Sequence, residues 1–233
     1  MTNDAIPEDA RYEVKFVADA TRYHELERWI LLNPAGFRMS YPPRRVNNVY
    51  FDTPDLHAYA ENLSGASARS KVRLRWYGET DQPQATTLEV KRRRNRLGWK
   101  ICFPGGTMDF SARPWSEIQR ALRRRLPPGG QIWLDAFPQP ILINRYHRQY
   151  FESPAGRLRA TLDWRQTVLD QRLKPRPNLR LYSNIPDTLV LEIKFHRGDH
   201  ALGSAATQGT PIRVSRNSKY MIGVQSILGP LGA

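Results

Sequence analysis

The chain has 233 residues and a formal net charge of +14, from 36 lysines and arginines against 22 aspartates and glutamates. Hydrophobic residues make up 40% and aromatic residues 10%, which excludes an intrinsically disordered chain and allows a large domain to bury a core. The charge favours an anionic partner, such as a nucleotide, a polyphosphate, a nucleic acid or an acidic membrane surface. A single cysteine, Cys102, excludes an internal disulfide framework and is interpreted as an inert core residue.

No targeting or membrane-spanning segment is recognisable. Residues 2–10 are polar and acidic, unlike a signal peptide, and the longest apolar runs are far shorter than a bilayer requires. We therefore expect a soluble protein of a reducing compartment, the cytoplasm. No repeat or linker divides the chain, which predicts a single domain over residues 1–233.

The first part of the chain is predicted to alternate strands with short helices. The spacing of apolar residues, together with helix-capping and helix-breaking residues, indicates a strand at 12–16 and a helix from Asp19 or Thr21 to about 32. A strand at 47–52 and a second helix to about 63 follow. Thr53 and Pro54 are interpreted as the cap and the first residue of that second helix.

Residues 70–103 carry the strongest pattern in the chain. Cations alternate strictly with apolar residues, and a shorter alternation returns after the turn-like stretch 78–85. The residues concerned are Lys71, Arg73 and Arg75 against Val72, Leu74 and Trp76, then Glu89 and Lys91 around Val90. Since successive side chains of a strand point to opposite faces, we predict a hairpin with one apolar and one charged face.

The second part is predicted to be a helix followed by further strands. Pro114 opens the helix, its apolar spacing continues to a break at 127–130, and its arginine-rich side is interpreted as a solvated face. The segments that follow are strands at 141–151, 159–168 and 189–195, a loop at 174–178, a mobile connector at 200–210 and a short apolar helix after 215–220.

The alternation of charged and apolar residues recurs on the other predicted strands. The pairs are Glu13 and Lys15, Tyr146 and Arg148, and Glu192 and Lys194. Uniform, mostly cationic strand faces suggest one shared surface, and a sheet that curls around this surface would form a tunnel for a polyanion. Transfer between phosphates requires alignment, charge neutralisation and a divalent ion but no protein nucleophile. Glu192 is the best metal candidate, with Glu13, Glu89 and Asp163 as further candidates or salt-bridge partners.

Several short motifs occur in an order that resembles one known family. They lie at 11–16, 49–53, 71–78, 88–91, 146–151, 162–163, 191–195 and 218–220. Together they resemble the VTC domain, the polyphosphate polymerase domain of the vacuolar transporter chaperone complex, in the CYTH-like or triphosphate tunnel metalloenzyme superfamily. The resemblance covers about residues 11–225. It implies an α+β fold, an antiparallel β-barrel tunnel of about eight strands with helices packed outside.

The resemblance also implies roles for individual residues. The tunnel cations that act in catalysis would be Lys15, Arg73, Arg75, Lys91, Arg148 and Lys219. The substrate-binding residues would be Lys100, Tyr146, Lys194, Arg216 and Ser218. Glu192 would hold Mn²⁺ or Mg²⁺, and the substrates would be ATP and inorganic polyphosphate or triphosphate.

Two departures from the wider pattern refine this hypothesis. Arg11 stands where the superfamily has the first glutamate of Glu-x-Glu-x-Lys, which favours the VTC branch over the multi-carboxylate triphosphatases and cyclases. The fungal proteins carry membrane-spanning and phosphate-sensing parts that this sequence does not show, so product translocation would need a separate membrane protein.

The leading hypothesis is a metal-dependent polyphosphate polymerase. The alternatives are a triphosphatase or nucleoside triphosphatase of the same fold, a non-catalytic polyphosphate-binding subunit, and generic nucleic-acid binding. The last is disfavoured because no nucleic-acid motif appears and the cations lie opposite apolar strand faces.

Overall fold

The computed structural model describes residues 5–229; residues 1–4 and 230–233 of the predicted single domain lie outside this range. The strands are β1 (Arg11–Asp19), β2 (Arg38–Asp52), β3 (Ala68–Tyr77), β4 (Thr86–Arg94), β5 (Leu97–Gly106), β6 (Gln139–Glu152), β7 (Leu158–Asp170), β8 (Tyr182–Ser183) and β9 (Thr188–His196). The helices are α1 (Tyr23–Leu31), α2 (His57–Leu63), α3 (Trp115–Arg125), α4 (Pro128–Ala136), α5 (His200–Thr207) and α6 (Lys219–Leu228). None of these helices is long and apolar enough to cross a membrane.

All strand pairings are antiparallel, and the sheet closes on itself. The strand order is β6-β2-β3-β4-β5-β1-β9-β7-β8, and β6 also pairs with β7. This additional pairing closes eight strands into a ring, while the short β8 is attached to β7 outside it. The predicted α+β class with a closed antiparallel sheet of about eight strands is therefore confirmed.

The alternation along each strand separates an apolar outer face from a charged inner face. On β9, Leu191 and Ile193 belong to a buried cluster that includes residues of α1 and α5, whereas Glu192 between them contacts lysines on the inner face. On β3 and β4, Leu74 and Leu88 belong to a second buried cluster with residues of α3 and α4. The helices thus cover the outer face, and the charged side chains line the inside of the ring.

Helices α2 and α6 lie at one end of the ring. Tyr220 of α6 stacks on Tyr50 of β2 with the ring centroids 5.2 Å apart, and its hydroxyl donates to the carboxylate of Asp52. A Cβ atom on Gly223 would lie 2.6 Å from the side chain of Leu142 on β6, so a glycine is needed for this close approach. These contacts place α6 across this end of the ring.

Two predicted bounds in the first part of the chain are wrong. β2 begins at Arg38 rather than at 47, because Pro42 and Pro43 are tolerated within it. This part of β2 pairs only with β6 and shifts its register between Tyr41 and Arg44, so the missing proline N–H groups break no regular ladder.

The predicted cap of the second helix is also displaced. α2 begins at His57, not at Thr53 and Pro54. The hydroxyl of Thr53 accepts the N–H of His57 at 2.9 Å, and the buried carboxylate of Asp52 accepts the N–H of Ala58 at 2.9 Å. Thr53 therefore shares the capping of α2 with Asp52, which accepts N–H groups of its first turn.

Two helices occupy segments that were predicted to be irregular. The predicted break at 127–130 is instead the start of α4. A proline is tolerated in the first turn of a helix, because the N–H that it lacks would have no partner within the helix there. The predicted mobile connector at 200–210 contains α5, in which Gly203 packs directly against the ring of Phe195. The short β8 was not predicted.

The central hairpin is the first part of a three-stranded unit. β3 and β4 form the predicted hairpin, and β5 follows as a third strand after a turn at Asn95. Cys102 is exposed, so its interpretation as a core residue is wrong. Its neighbours Ile101 and Phe103 pack on the outer cluster, whereas Cys102 pairs in register with Glu89 and therefore faces inward.

Candidate functional site

The strands bring nearly all predicted site residues to the inner face. Arg216 is the exception, since it is exposed on the segment that precedes α6. Lys100 lies at the margin of the inner face with 57% of its side chain exposed. Apart from Ser218, the others belong to three groups built around ion pairs.

The first group joins β1 and β9. Because these strands are antiparallel, their two Glu-x-Lys motifs place each glutamate opposite the lysine of the other strand. Lys194 Nζ lies 2.5 Å and Lys15 Nζ 3.3 Å from the carboxylate of Glu192. The carboxylate of Glu13 lies 2.8 Å from Lys15 Nζ and 3.0 Å from Lys91 Nζ. Lys91 lies on β4, so its side chain reaches Glu13 across β5.

Lysines keep the buried carboxylates of this group ionised. Burial by itself would raise the pKa of the Glu192 carboxyl, but Lys194 and Lys15 together hold it well below its ordinary value. Burial lowers the pKa of Lys91 to about 8; Glu13 opposes that decrease, whereas Lys15 adds to it. Lys91 can therefore lose its proton near physiological pH.

The second group surrounds Glu89 on β4. Arg73 donates to a single oxygen of this carboxylate through Nε at 2.9 Å and Nη2 at 2.6 Å, and Lys100 Nζ lies 3.1 Å from the other oxygen. Arg75 donates to Asn48 at 2.9 Å and to the hydroxyl of Tyr146 at 3.0 Å. Glu89 thus fixes the guanidinium of Arg73, whereas Asn48 and Tyr146 fix that of Arg75.

The third group connects the ring to α6. Arg148 forms a bidentate pair with Asp163 at 2.5 and 2.7 Å, and Lys219 of α6 lies 2.6 Å from the same carboxylate. Both cations lie near the ring of Tyr146, with Lys219 Nζ 4.6 Å from its centroid. Burial would raise the pKa of Tyr146, but Arg148 and Arg75 lower it to about 8.

The sequence pattern placed one further cation on the inner face without assigning it a role. Lys71 has no carboxylate partner within residues 5–229, and it donates to the hydroxyl of Ser218 at 2.9 Å. Ser218 caps α6, because its side chain also accepts the N–H of Met221. Burial lowers the pKa of Lys71 well below its ordinary value, and the charges of Lys91 and Lys15 lower it further.

Thr161 on β7 was missed altogether. It pairs in register with Glu192 and is buried, yet its hydroxyl has no hydrogen-bond partner in the described part of the chain. A lone threonine in a strand gives no sequence signal, so only the register could reveal it. Buried polar groups normally have a hydrogen-bond partner, so this hydroxyl is available to a ligand on the inner face.

The inner face offers one pair of carboxylates to a divalent ion. Within residues 5–229, no three His, Cys, Asp or Glu side chains converge as a metal-binding group. Glu192 and Glu13 are nevertheless close, because Lys15 and Lys194 each contact both carboxylates. Mg²⁺ often takes one or two carboxylates and completes its shell with substrate phosphates and water. The pair therefore fits an ion of this kind.

The sheet forms a closed antiparallel ring with a charged, mainly cationic interior. Domains with this arrangement form a class in which the sheet can surround an anionic ligand. The family model of the VTC domain matches residues 10–228, and the chain belongs to this family. The match confirms the resemblance indicated by the ordered motifs. No curated protein matches the sequence.

Two solved structures are similar to this chain at low identity. A proposed adenylate cyclase from Vibrio parahaemolyticus is 13% identical, with 90% of this chain and 97% of the other covered at a TM-score of 0.46. A protein from Pyrococcus horikoshii OT3 is 11% identical, with 91% and 96% covered at a TM-score of 0.44. Likeness at this distance does not extend to activity.

Proposed function

We propose that the chain is a metal-dependent polyphosphate polymerase that transfers the γ-phosphate of ATP to the end of a polyphosphate chain inside the ring. The observation that carries this proposal is the excess of cations over carboxylates on a largely buried inner face. Lys71 lacks a carboxylate partner within the described chain. Three further cations, Arg73, Arg75 and Lys100, share the single carboxylate of Glu89. Burial and neighbouring cations lower the pKa of Lys71, because a cation without a partner is costly in a buried site. A polyanion would supply the missing negative charge and is therefore the ligand that this surface binds best.

The ion-pair groups would each bind a different part of the phosphate ligand. Arg73 and Arg75 present several N–H donors from one strand, a geometry suited to the oxygens of successive phosphates. Arg148 and Lys219 would bind phosphates from the side of β6 and α6. Lys71 would bind beside Ser218, where the first turn of α6 also offers free backbone N–H groups.

Glu192 would hold Mg²⁺ or Mn²⁺ with Glu13 as its helper. The ion would add charge neutralisation on the transferred phosphate and fix the phosphates relative to the inner face. Glu89 and Asp163 are less suited to this task, because arginines hold their carboxylates through charge-assisted hydrogen bonds. Glu192 and Glu13 are instead held by lysines and lie close to each other.

The reaction needs only alignment and charge stabilisation from the protein. An oxygen of the terminal phosphate of polyphosphate forms a bond to the γ-phosphorus of ATP, and the bond from that phosphorus to the β–γ bridging oxygen breaks to release ADP. The side chains of Lys15, Lys91 and Lys194 would stabilise the negative charge that spreads over the transferred group. No side chain has to form a covalent intermediate.

This proposal sets the expected partners and location. The ligands are ATP and polyphosphate or triphosphate rather than a specific nucleic acid, and translocation of a product would require a separate membrane protein. The expected location is the cytoplasm.

The test is to incubate purified protein with ATP and Mn²⁺ and to separate the products by length. A ladder of phosphate chains with ADP supports the polymerase. Phosphate and ADP without a ladder would instead indicate a triphosphatase, in which water replaces the acceptor. Tight polyphosphate binding without turnover would indicate an accessory subunit.

A further inference from the structure

An aromatic and cationic cluster lies on the inner face away from α6. It consists of Tyr41 and Arg44 of β2, Tyr77 of β3 and Tyr150 of β6, and we call it the mouth cluster. The guanidinium carbon of Arg44 lies 4.1 Å from the ring centroid of Tyr77, 4.9 Å from that of Tyr150 and 5.6 Å from that of Tyr41. Tyr41 and Tyr150 meet edge to face, with their centroids 5.9 Å apart.

The position of the mouth cluster follows from β6. Leu142 near the start of this strand packs against α6, and Tyr150 near its end belongs to the cluster. From 142 to 150, a rise of about 3.3 Å per residue separates them by roughly 26 Å. Tyr146 and Arg148, which belong to the proposed phosphate site, lie between them. A ligand whose phosphates occupy that site, with α6 across the other end, would extend its remaining part toward the mouth cluster.

The chemistry of the cluster differs from that of the phosphate site. Within the described chain it contains a single cation, Arg44, which has no carboxylate partner. The side chains around it are aromatic, and Tyr41 and Tyr77 are 57% and 42% exposed. Phosphate oxygens would find few donors here. Ring faces and a planar guanidinium are instead the groups on which a nucleobase stacks.

We propose that the mouth cluster binds the nucleobase of a nucleoside triphosphate whose phosphates occupy the inner site. This inference rests on the proposed function for the phosphate end and deepens it, because it separates nucleoside triphosphates from inorganic triphosphate. Contact through ring faces is available to every base, so binding of ATP and CTP should differ little.

The test compares ATP, in the form of a non-hydrolysable analogue, with inorganic tripolyphosphate by titration calorimetry in the presence of Mg²⁺. The Tyr41→Ala/Tyr77→Ala variant should bind ATP about 10-fold more weakly, because the ring faces on which the base stacks are removed. Its affinity for tripolyphosphate should stay within about two-fold of the parent protein, because no phosphate donor is removed. Tyr182→Ala is the matched control, since this tyrosine is 60% exposed on β8 outside the ring.

Thermal unfolding of each variant shows whether it is folded, and Tyr77→Leu offers a replacement that keeps apolar volume and removes the π face. An equal loss of affinity for both ligands would overturn the inference, because the cluster would then contribute to phosphate binding alone. Unchanged ATP affinity in folded variants would overturn it as well. If the parent protein binds neither ligand, the proposed phosphate site itself fails, and the nucleobase site fails with it.

Discussion

Replacing Arg73 by alanine tests whether the inner face binds phosphate through defined side chains. Arg73 uses two donors on Glu89 and a third on the hydroxyl of Tyr50 at 3.1 Å, so its guanidinium is fixed before a ligand arrives. Loss of a charge-assisted hydrogen-bonding group should weaken tripolyphosphate binding by about 1.5–3 kcal/mol. This range corresponds to roughly 10- to 150-fold in the dissociation constant.

The same substitution affects folding, and the structure sets the size of that effect. Breaking a buried ion pair costs about 3–5 kcal/mol when the remaining charge is left without a partner. Glu89 is only 3% exposed, but Lys100 at 3.1 Å and Arg75 at 3.6 Å still neutralise it. We therefore expect the free energy of unfolding to fall by about 2 kcal/mol, below the range for a fully orphaned charge.

Calorimetry with tripolyphosphate and urea unfolding measure the two effects separately. The Arg73→Ala/Glu89→Gln variant should recover part of the lost stability without recovering affinity, because it removes the buried charge and does not restore the donor. Arg124→Ala is the matched control, since Arg124 is exposed on α3. If Arg73→Ala and Arg124→Ala weaken tripolyphosphate binding equally, diffuse electrostatics explains binding and the site model is wrong.

Three further predictions concern the metal candidate, the pH dependence and the packing of α5. Glu192→Gln should fold, still bind polyphosphate and lose Mn²⁺-dependent turnover; full turnover in an ATP assay would move the metal site to Glu13. Affinity for tripolyphosphate should fall as the pH rises through about 8, because burial lowers the pKa of Lys91 to about 8 and its charge is lost there. Stability should change in the opposite direction. Between pH 8 and 10.5, the ordinary pKa of lysine, Lys91 is protonated in the unfolded chain and largely neutral in the folded one, so the free energy of unfolding rises with pH. Lys91→Arg should flatten both profiles in part, because the pKa of Tyr146 is also about 8 and its titration remains. Calorimetry and urea unfolding between pH 7 and 10 measure the profiles, and unchanged profiles would contradict the assignment. Gly203→Ala should lower the free energy of unfolding by about 1–3 kcal/mol, because its Cβ would overlap the ring of Phe195. Gly198→Ala, with nothing within 4 Å of the added Cβ, should be nearly neutral, and equal unfolding midpoints for the two variants would refute this account.

Strands with strict alternation could be predicted from the sequence, whereas two helices could not. The alternation on β3 and β9 is local, since each side chain alternates with its immediate neighbours in the chain. Helices α4 and α5 contain glycines that weaken local helix propensity. Their stability comes from packing, since a Cβ atom on Gly130 would lie only 3.1 Å from Phe103 and Gly203 lies against Phe195.

Which side of each strand carries charge was determined by the sequence alone. The same pattern indicated the candidate cations and Glu192, and the ordered motifs indicated the family. Cys102 shows the limit of reading an apolar run, because it lies between the outward side chains of Ile101 and Phe103 and itself faces inward.

The partners of these charges were decided by the tertiary structure. Ring closure through β6 and β7, the contact of Lys219 with Asp163 and the gathering of Arg44 with Tyr77 and Tyr150 join residues that are distant in the chain. Alternation states only that a side chain lies on one face of a strand. Which side chain lies opposite depends on strand order and register, and these are set by the packing of the whole sheet.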